Sequence, residues 1–193
     1  MLNVIALFPL WVRFGQCVKR YIQTGVIVNF WNSTKYFSKE LAPITLVIFG
    51  GMKIGREGFW WCFAAKTWAE IYSLGWDYYI DWGYFRSWKP GHWGLRDQML
   101  FSRGFYYYAT LVNLVARSYY LVTIFNYGFE SDPDHVMNNL QVMLFISMIM
   151  ETYRRTIWAV LRIENEYFNN FEAYRSIPAI PILMDEKDKT AYD

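Results

Sequence analysis

Four apolar runs, separated by polar segments, set the pattern of this chain. They cover residues 40–51, 58–76, 104–127 and 136–163. The first reaches the length of a membrane span only if it is extended back through Tyr36, whereas the other three are long enough as they stand. None shows a sustained strand-like alternation of apolar and polar residues. The pattern predicts an all-α fold, a polytopic transmembrane helical bundle with about four membrane-crossing helices.

The first residues predict an amphipathic helix rather than a further crossing. Residues 1–12 are apolar, but Pro9 interrupts them and they are too few to span a bilayer. The segment that follows, W-V-R-F-G-Q-C-V-K-R-Y, carries three cationic side chains among apolar ones. This composition is typical of a helix that lies on an anionic membrane surface.

A second helix is predicted to begin within N-S-T-K-Y. Asn32 or Ser33 would cap it, because such side chains accept hydrogen bonds from the free N–H groups of a first helical turn. Lys35 would then lie near the helix start, which is an unfavourable place for a cation unless a carboxylate or another anion is close.

Aromatic residues dominate the composition and support a membrane environment. The chain has 193 residues, of which 54% are hydrophobic, and it contains 10 Trp, 16 Tyr and 15 Phe. Trp and Tyr in this abundance are typical of the two membrane–water interfaces. The mean hydropathy is only +0.04, because Tyr and Trp score poorly on that scale.

Charge, cysteine and histidine content exclude several classes of protein. The net charge is +2 and no basic strip interleaved with aromatic residues occurs, so no nucleic-acid partner is expected. Two cysteines and two distant histidines are too few for a disulfide framework or a metal site, and we expect no cofactor. The sequence shows no activated nucleophile, histidine triad or glycine-rich phosphate loop, so we do not expect an enzyme.

Charge enters the last apolar run without a polar break. The positions i, i+3, i+4, i+7 and i+11 share one predicted helix face, and they hold Glu151, Arg154, Arg155, Trp158 and Arg162. Charge at membrane depth is costly and usually faces a bundle interior or an aqueous path. Arginine pairs suit phosphate because the planar guanidinium donates bidentately and stays charged. The alternative is a cytosolic helix end whose arginines reach lipid headgroups.

Two other predicted helices contain charged residues. In the second run, Lys66 and Glu70 stand four residues apart, a spacing at which they can pair along the helix. In the third run, Arg117 lies near the middle, with Asn113 one turn before it and Tyr120 close to one turn after it.

The block W-D-Y-Y-I-D-W-G-Y-F places two carboxylates on one predicted helix face. Asp77 and Asp81 stand four residues apart, and like charges at that spacing repel. Something cationic should therefore neutralise them. The favoured partners are arginines from neighbouring helices, namely Arg117, Arg154 or Arg155. The alternatives are Mg²⁺ or Ca²⁺, or two solvated aspartates at a helix end.

Loop charges predict the topology. The loop 86–103 and the C-terminal tail carry basic residues, whereas the turn 130–134 has three carboxylates and no cation. By the positive-inside rule, the last two helices form a hairpin with this turn outside and the C-terminus in the cytosol. The turn 53–56 is then outside despite its two basic residues. Residues 1–175 are expected to form one membrane domain and residues 176–193 a flexible cytosolic tail.

Five sequence blocks together resemble one known family. In order, they are W-V-R-F-G-Q-C-V-K-R-Y, N-S-T-K-Y, W-D-Y-Y-I-D-W-G-Y-F, Y-R-R-T-I-W-A-V-L-R-I-E-N-E-Y-F-N-N and A-Y-R-S-I-P. They resemble the EXS domain of the eukaryotic phosphate exporters related to the xenotropic and polytropic retrovirus receptor, and of the yeast ER-retention-defective type. The resemblance runs from about Trp11 to Arg175 and implies a helical transmembrane exporter of inorganic phosphate.

The resemblance also implies which residues form the anion path. The residues at phosphate-binding positions are Lys35, Tyr36, Arg117, Arg154 and Arg155. Those at charge-balancing or gating positions are Asp77, Asp81, Tyr120, Trp158 and Glu151. Tyr120 stands where the family exporters have a gating Trp, three residues after the arginine of the penultimate helix.

The resemblance covers only part of the family's usual architecture. The sequence contains neither the family's N-terminal membrane helices nor an SPX domain, so we expect the C-terminal part of an EXS domain. Its expected partners are inorganic phosphate, the lipid bilayer, and either those missing parts or a second copy of the chain.

The resemblance implies phosphate export through an arginine- and lysine-lined path in a multi-pass protein of the plasma membrane or Golgi. Two alternatives stay open. One is a Golgi or ER retention and protein-sorting factor of the type without an SPX domain. The other is a structural membrane subunit whose charges only hold helices together.

Overall fold

The computed structural model describes residues 2–49, 57–86, 93–129 and 133–175, and these residues are almost entirely helical. The helices are α1 (Leu2–Thr24), α2 (Ile27–Phe49), α3 (Glu57–Trp76), α4 (Arg103–Phe129) and α5 (Pro133–Arg175), with a short π-helix, Asp77–Asp81, directly after α3. Since the described residues contain no strand, the predicted all-α class is confirmed. The predicted tail, residues 176–193, lies outside them.

The structure confirms the predicted helices but does not confirm that they cross a membrane. The helices expected from the runs 58–76, 104–127 and 136–163 are present as α3, α4 and α5. However, within the described ranges no helix combines sufficient length with sufficient apolar character to cross a membrane. The four crossings therefore remain a prediction.

The predicted start of the second helix was wrong. The helix α1 continues through Pro9 to Thr24 and α2 begins at Ile27, so the predicted cap residues are internal. The chain reverses at Gly25, which has a φ of +67° and whose N–H donates to the Tyr21 carbonyl oxygen at 2.8 Å. A glycine in the left-handed region just after a helix is a common helix end, and this signal was overlooked.

This correction moves Lys35 into the body of α2. Ser33 does not cap a helix, because its hydroxyl donates to the Phe30 carbonyl oxygen within the same helix at 2.7 Å. Lys35 therefore does not lie at the positive end of a helix dipole, and its surroundings depend on the helices that pack against α2.

Aromatic contacts and hydrogen bonds hold the helices together. The ring centroids of Phe14 and Phe37 lie 6.0 Å apart between α1 and α2. The helix α2 packs against α3, where the Tyr72 hydroxyl donates to the Trp31 carbonyl oxygen at 2.9 Å, and α4 packs against α5. The π-helix contacts α5, so it connects the α1–α2–α3 group to the α4–α5 pair.

A buried aromatic cluster fixes the chain as it leaves the π-helix. Its buried members are Trp82, Tyr84, Leu95, Tyr106, Ala109, Ile157 and Leu161. Burial raises the pKa of Tyr84, so its hydroxyl stays protonated and donates to the Tyr106 carbonyl oxygen at 3.5 Å. Gly83 has a φ of +69°, and a Cβ there would lie 2.6 Å from Asn165 Oδ1. The close approach of this segment to α5 therefore requires glycine.

Candidate anion-binding site

The two aspartates of the π-helix are buried and face different partners. Asp77 and Asp81 are each only 5% exposed, which contradicts two solvated aspartates at a helix end. The wider turn is closed by the Trp82 N–H, which donates to the Asp77 carbonyl oxygen five residues back at 2.8 Å. Such short π-helical turns are frequent at functional sites.

Asp77 lies at the centre of a network that joins three helical segments. Its Oδ2 accepts hydrogen bonds from Arg117 Nη2 at 2.6 Å, Arg117 Nε at 3.1 Å and Asn113 Nδ2 at 3.1 Å. Arg154 Nη1 lies 3.5 Å from the same oxygen. Two arginines from α4 and α5 thus converge on one carboxylate oxygen, and the predicted neutralisation by arginines is confirmed for Asp77.

Arg117 extends this network to α3. Its Nη1 donates to Glu70 Oε2 at 2.8 Å, while the other Glu70 oxygen pairs with Lys66 Nζ at 2.8 Å. The predicted Lys66–Glu70 pair is therefore confirmed. Tyr120 also belongs to the α3–α4 contact, because its hydroxyl donates to Thr67 Oγ1 at 2.9 Å.

Glu151 holds Arg154 in place from within α5. Arg154 Nε and Nη2 donate to the two Glu151 oxygens, each at 2.8 Å, and Arg154 Nη1 donates to Asn113 Oδ1 at 3.2 Å. A bidentate pair of this kind fixes the guanidinium plane as well as its position. Arg154 is consequently buried and oriented towards Asp77.

Arg155 does not share the interior position of Arg154. Its side chain is 72% exposed, and it reaches the network only through Glu151 Oε1, 2.6 Å from its Nε. Consecutive helical residues point in different directions, about 100° apart, so Arg154 and Arg155 cannot both face Asp77. The expectation that both arginines lie on one interior face was wrong for Arg155.

Asp81 has its own partners on α5. Its Oδ2 accepts from Trp158 Nε1 at 3.0 Å, and its Oδ1 accepts from Arg162 Nη1 at 3.1 Å. Arg162 also donates to Glu166 Oε1 at 3.0 Å and lies over the Trp158 ring. The arginine that pairs with Asp81 is therefore Arg162 and not one of the predicted arginines. Arg162 lies one turn after Trp158 on α5 and is more exposed than Asp81.

Lys35 and Tyr36 face these carboxylates from α2. The Lys35 ammonium lies 4.3 Å from the centre of the Trp76 ring and 5.1 Å from that of Tyr36. Asp81 and Asp77 lie within electrostatic range of Lys35. Within the described part of the chain, however, no carboxylate forms an ion pair with it. Lys35 is held by aromatic rings rather than by a counter-ion.

We call the interacting charged groups around the two aspartates the Asp77 cluster. Its cations are Lys35, Lys66, Arg117, Arg154, Arg155 and Arg162, and its carboxylates are Glu70, Asp77, Asp81, Glu151 and Glu166. The cations outnumber the carboxylates even before any further neighbour is counted. Such an arrangement provides net positive charge between helices, which is electrostatically favourable for an anion.

A second buried ion pair lies outside the Asp77 cluster. Arg96, in the segment before α4, pairs with Glu164 of α5, and both side chains are almost fully buried. Glu164 Oε1 also accepts from the Tyr106 hydroxyl and from the Leu100 N–H at 2.7 Å. We call this group the Arg96–Glu164 clasp. The sequence reasoning assigned it no role, because the partner of Glu164 lies 68 residues earlier in the chain.

The described fold is thus an all-helical bundle whose interior holds networks of charged side chains. The EXS family profile matches residues 1–168, and the chain belongs to the EXS family. The resemblance found in the five sequence blocks is thereby confirmed.

Curated relatives carry the same domain within much longer chains. The chain is 31% identical over 193 residues to "Phosphate transporter PHO1 homolog 8" of Arabidopsis thaliana, covering 96% of this chain and 24% of the relative. It is 30% identical over 187 residues to "SPX and EXS domain-containing protein 1" of Dictyostelium discoideum, covering 91% of this chain and 19% of the relative. The chain therefore spans about a quarter of these relatives or less.

Proposed function

We propose that this chain forms part of a path for inorganic phosphate across a membrane and that it is not an enzyme. Relatives named as phosphate transporters support the substrate. The residues proposed to bind phosphate are Lys35, Tyr36, Arg117, Arg154 and Arg155. Those proposed to balance charge or to gate the path are Asp77, Asp81, Tyr120, Trp158 and Glu151.

One observation carries this proposal above the others. A single carboxylate oxygen, Asp77 Oδ2, lies between the guanidinium groups of Arg117 and Arg154. A phosphate oxygen has the same charge character and the same need for several donors, and arginine binds both groups through planar N–H pairs. The arginines are therefore already arranged around an oxyanion, and a phosphate would compete with Asp77 for the same donors.

The carboxylates make the proposed binding reversible. If Arg117 and Arg154 had no internal partners, their combined charge would hold an anion tightly and slow its release. Because Asp77 and Glu151 occupy the arginine donors, a phosphate would use part of its binding energy to displace them. Conduction requires binding that is favourable enough for entry but weak enough for exit.

The distribution of polar and apolar side chains supports a lipid environment. Asp77, Asn113 and Arg154 are buried, whereas many large apolar side chains are exposed. On α4 and α5 the exposed apolar residues include Leu111, Val115, Val122, Leu144, Phe145, Met148 and Ile149. An extensive exposed apolar surface is unfavourable in water and suits contact with a membrane. We therefore propose a multi-pass protein of the plasma membrane or Golgi, with a cytosolic C-terminus.

Two aromatic residues are proposed to act as gates. Tyr120 joins α4 to Thr67 of α3 through its hydroxyl, so it lies where those helices would separate. Trp158 holds Asp81 through its indole N–H. We propose that movement of either ring changes access to the cations beside it. The remaining parts of a full transporter would come from N-terminal helices, an SPX domain or a second copy of the chain.

The decisive experiment is phosphate efflux from proteoliposomes that contain the whole protein. Arg154→Gln should lower efflux at least about tenfold, because the variant loses charge-assisted hydrogen bonds to the anion. The matched control is Arg20→Gln, which removes an exposed arginine of α1 and should leave efflux unchanged. Unchanged efflux in Arg154→Gln, at equal protein abundance, would overturn the proposal.

A further inference from the structure

The helix α2 carries a second lysine on the face that holds Lys35. Lys39 follows Lys35 by four residues, so the two side chains leave the helix on the same side, with about 6 Å between their positions along the axis. Lys39 is half-buried. Its side chain is therefore partly enclosed by the protein.

The charged neighbours of Lys39 are those of the arginine site. Arg117 acts on it most strongly, followed by Glu70, Asp77 and Arg154. By contrast, Asp81 is the strongest charged neighbour of Lys35. The two lysines lie one helical turn apart on α2 and differ in their strongest charged neighbour, which is Asp81 for Lys35 and Arg117 for Lys39.

The two carboxylates that act on Lys39, Glu70 and Asp77, are already engaged by other cations. Glu70 gives one oxygen to Lys66 and the other to Arg117, both at 2.8 Å. Asp77 Oδ2 is shared by Arg117 and Asn113, with Arg154 nearby. Across the described ranges, no hydrogen bond or ion pair involves the Lys39 ammonium.

A half-buried ammonium within electrostatic range of two guanidinium groups needs a counter-charge. Removing a cation from water is costly unless it is paired, and nearby cations increase that cost. Among the residues that the structure describes, no side chain forms an ion pair with Lys39. An anion held between Lys39 and the arginines would supply the counter-charge.

We propose that Lys39 is a further substrate-binding residue, which binds the phosphate anion together with Arg117 at a position distinct from that of Lys35. This inference rests on the proposed function and adds a second binding position to it. An anion at Lys35 moves one helical turn along α2 to reach Lys39, so the path contains two lysine positions in succession.

The choice of lysine predicts a specific kind of recognition. The ammonium is a compact charge on a flexible stem, without the fixed planar geometry of a guanidinium. Lys39 should therefore contribute charge rather than shape selectivity. Its removal should weaken phosphate and sulfate by similar factors.

Thermal unfolding of the whole purified protein, titrated with phosphate and separately with sulfate, tests this inference. The variant is Lys39→Gln, with Lys39→Arg to restore the charge and Lys19→Gln, an exposed lysine of α1, as the matched control. In Lys39→Gln the phosphate concentration for half of the Tm increase should rise roughly tenfold. Its Tm without added anion should be no lower than that of the unaltered protein.

Two results would overturn the inference. One is a phosphate titration of Lys39→Gln that matches the unaltered protein. The other is a lower Tm without anion combined with an unchanged phosphate dependence, which would indicate a purely structural lysine. If phosphate stabilises the protein in a way that depends on Lys39 but no phosphate efflux is measured, the inference is supported and the proposed function is wrong. If phosphate does not stabilise the unaltered protein, both fail.

Discussion

The Asp77 cluster and the Arg96–Glu164 clasp are both buried networks of charged residues, yet they differ in how their charges are matched. In the clasp, one guanidinium meets one carboxylate, and neutral donors satisfy an oxygen of Glu164. In the Asp77 cluster, two arginines share one carboxylate oxygen. Lys35 of the cluster and the neighbouring Lys39 have no ion pair within the described residues. A matched ion pair stabilises the position of a segment, whereas excess positive charge can be neutralised by a bound anion.

The largest expected effect comes from breaking the clasp. Glu164→Gln leaves the buried Arg96 without a counter-ion, which should lower the free energy of unfolding by about 3–5 kcal/mol. Denaturant or thermal unfolding of the whole protein measures this loss. Added phosphate should not restore the stability, because Arg96 is almost fully buried and, unlike Arg117 with Arg154, offers an anion only one guanidinium. Glu166→Gln, at an exposed position, is the control and should change stability by less than about 1 kcal/mol.

A similar change in the Asp77 cluster should behave differently. Asp77→Asn leaves Arg117 and Arg154 without their shared carboxylate and should cost about 1.5–3 kcal/mol of stability when no phosphate is present. Phosphate should then restore most of the loss, because the freed guanidinium groups bind it. Unfolding with and without phosphate tests this contrast.

The same variant should transport more slowly at high phosphate, since the anion leaves a more cationic site less readily. If Asp77→Asn were insensitive to phosphate, the distinction between the two networks would fail.

The hydroxyl of Tyr120 should contribute a smaller effect. Tyr120→Phe removes the hydrogen bond to Thr67 but keeps the ring, which should cost about 1 kcal/mol. If Tyr120 acts as a gate, efflux should change while phosphate-dependent stabilisation does not. Efflux and unfolding assays on the same preparation separate these outcomes. An equal loss in both would assign Tyr120 to helix packing alone.

The smallest expected effect is that of Arg155→Gln. The side chain is largely exposed and contacts the cluster only through Glu151, so its loss should change stability or phosphate binding by at most about 1 kcal/mol. Comparison with Arg154→Gln tests whether the buried arginine contributes more to phosphate binding than its exposed neighbour. An effect as large as that of Arg154→Gln would show that the exposed guanidinium contributes as much to anion binding as the buried one.

Most of the helices were predictable from the sequence, because they coincide with long apolar runs. The charged face of α5 was also predictable for Glu151, Arg154 and Trp158, since helical periodicity alone places them together. The same periodicity shows that Arg155 must diverge from Arg154, and the sequence interpretation passed over this. Gly25 could have been recognised in the sequence as the residue that ends α1. The prediction missed it because Pro9 argued against one continuous helix up to that point.

Other features depend on which helix faces meet, and no local pattern reports that. The contact of Arg117 with Glu70 spans 47 residues, and that of Arg96 with Glu164 spans 68. Lys39 was overlooked because a lysine beside a glutamate in sequence is typical of a solvated helix surface. Its position became informative only when α2 was seen to pack against α3.

The reversal at Gly25 has a consequence for the order in which the protein assembles. The helices α1 and α2 are neighbours in both sequence and space, so their contacts close only a short loop and cost little chain entropy. Asp77, by contrast, meets Arg117 and Arg154 only after distant segments have come together. We therefore expect the first hairpin to form early during synthesis and the anion-binding arrangement to be completed last, when α5 docks.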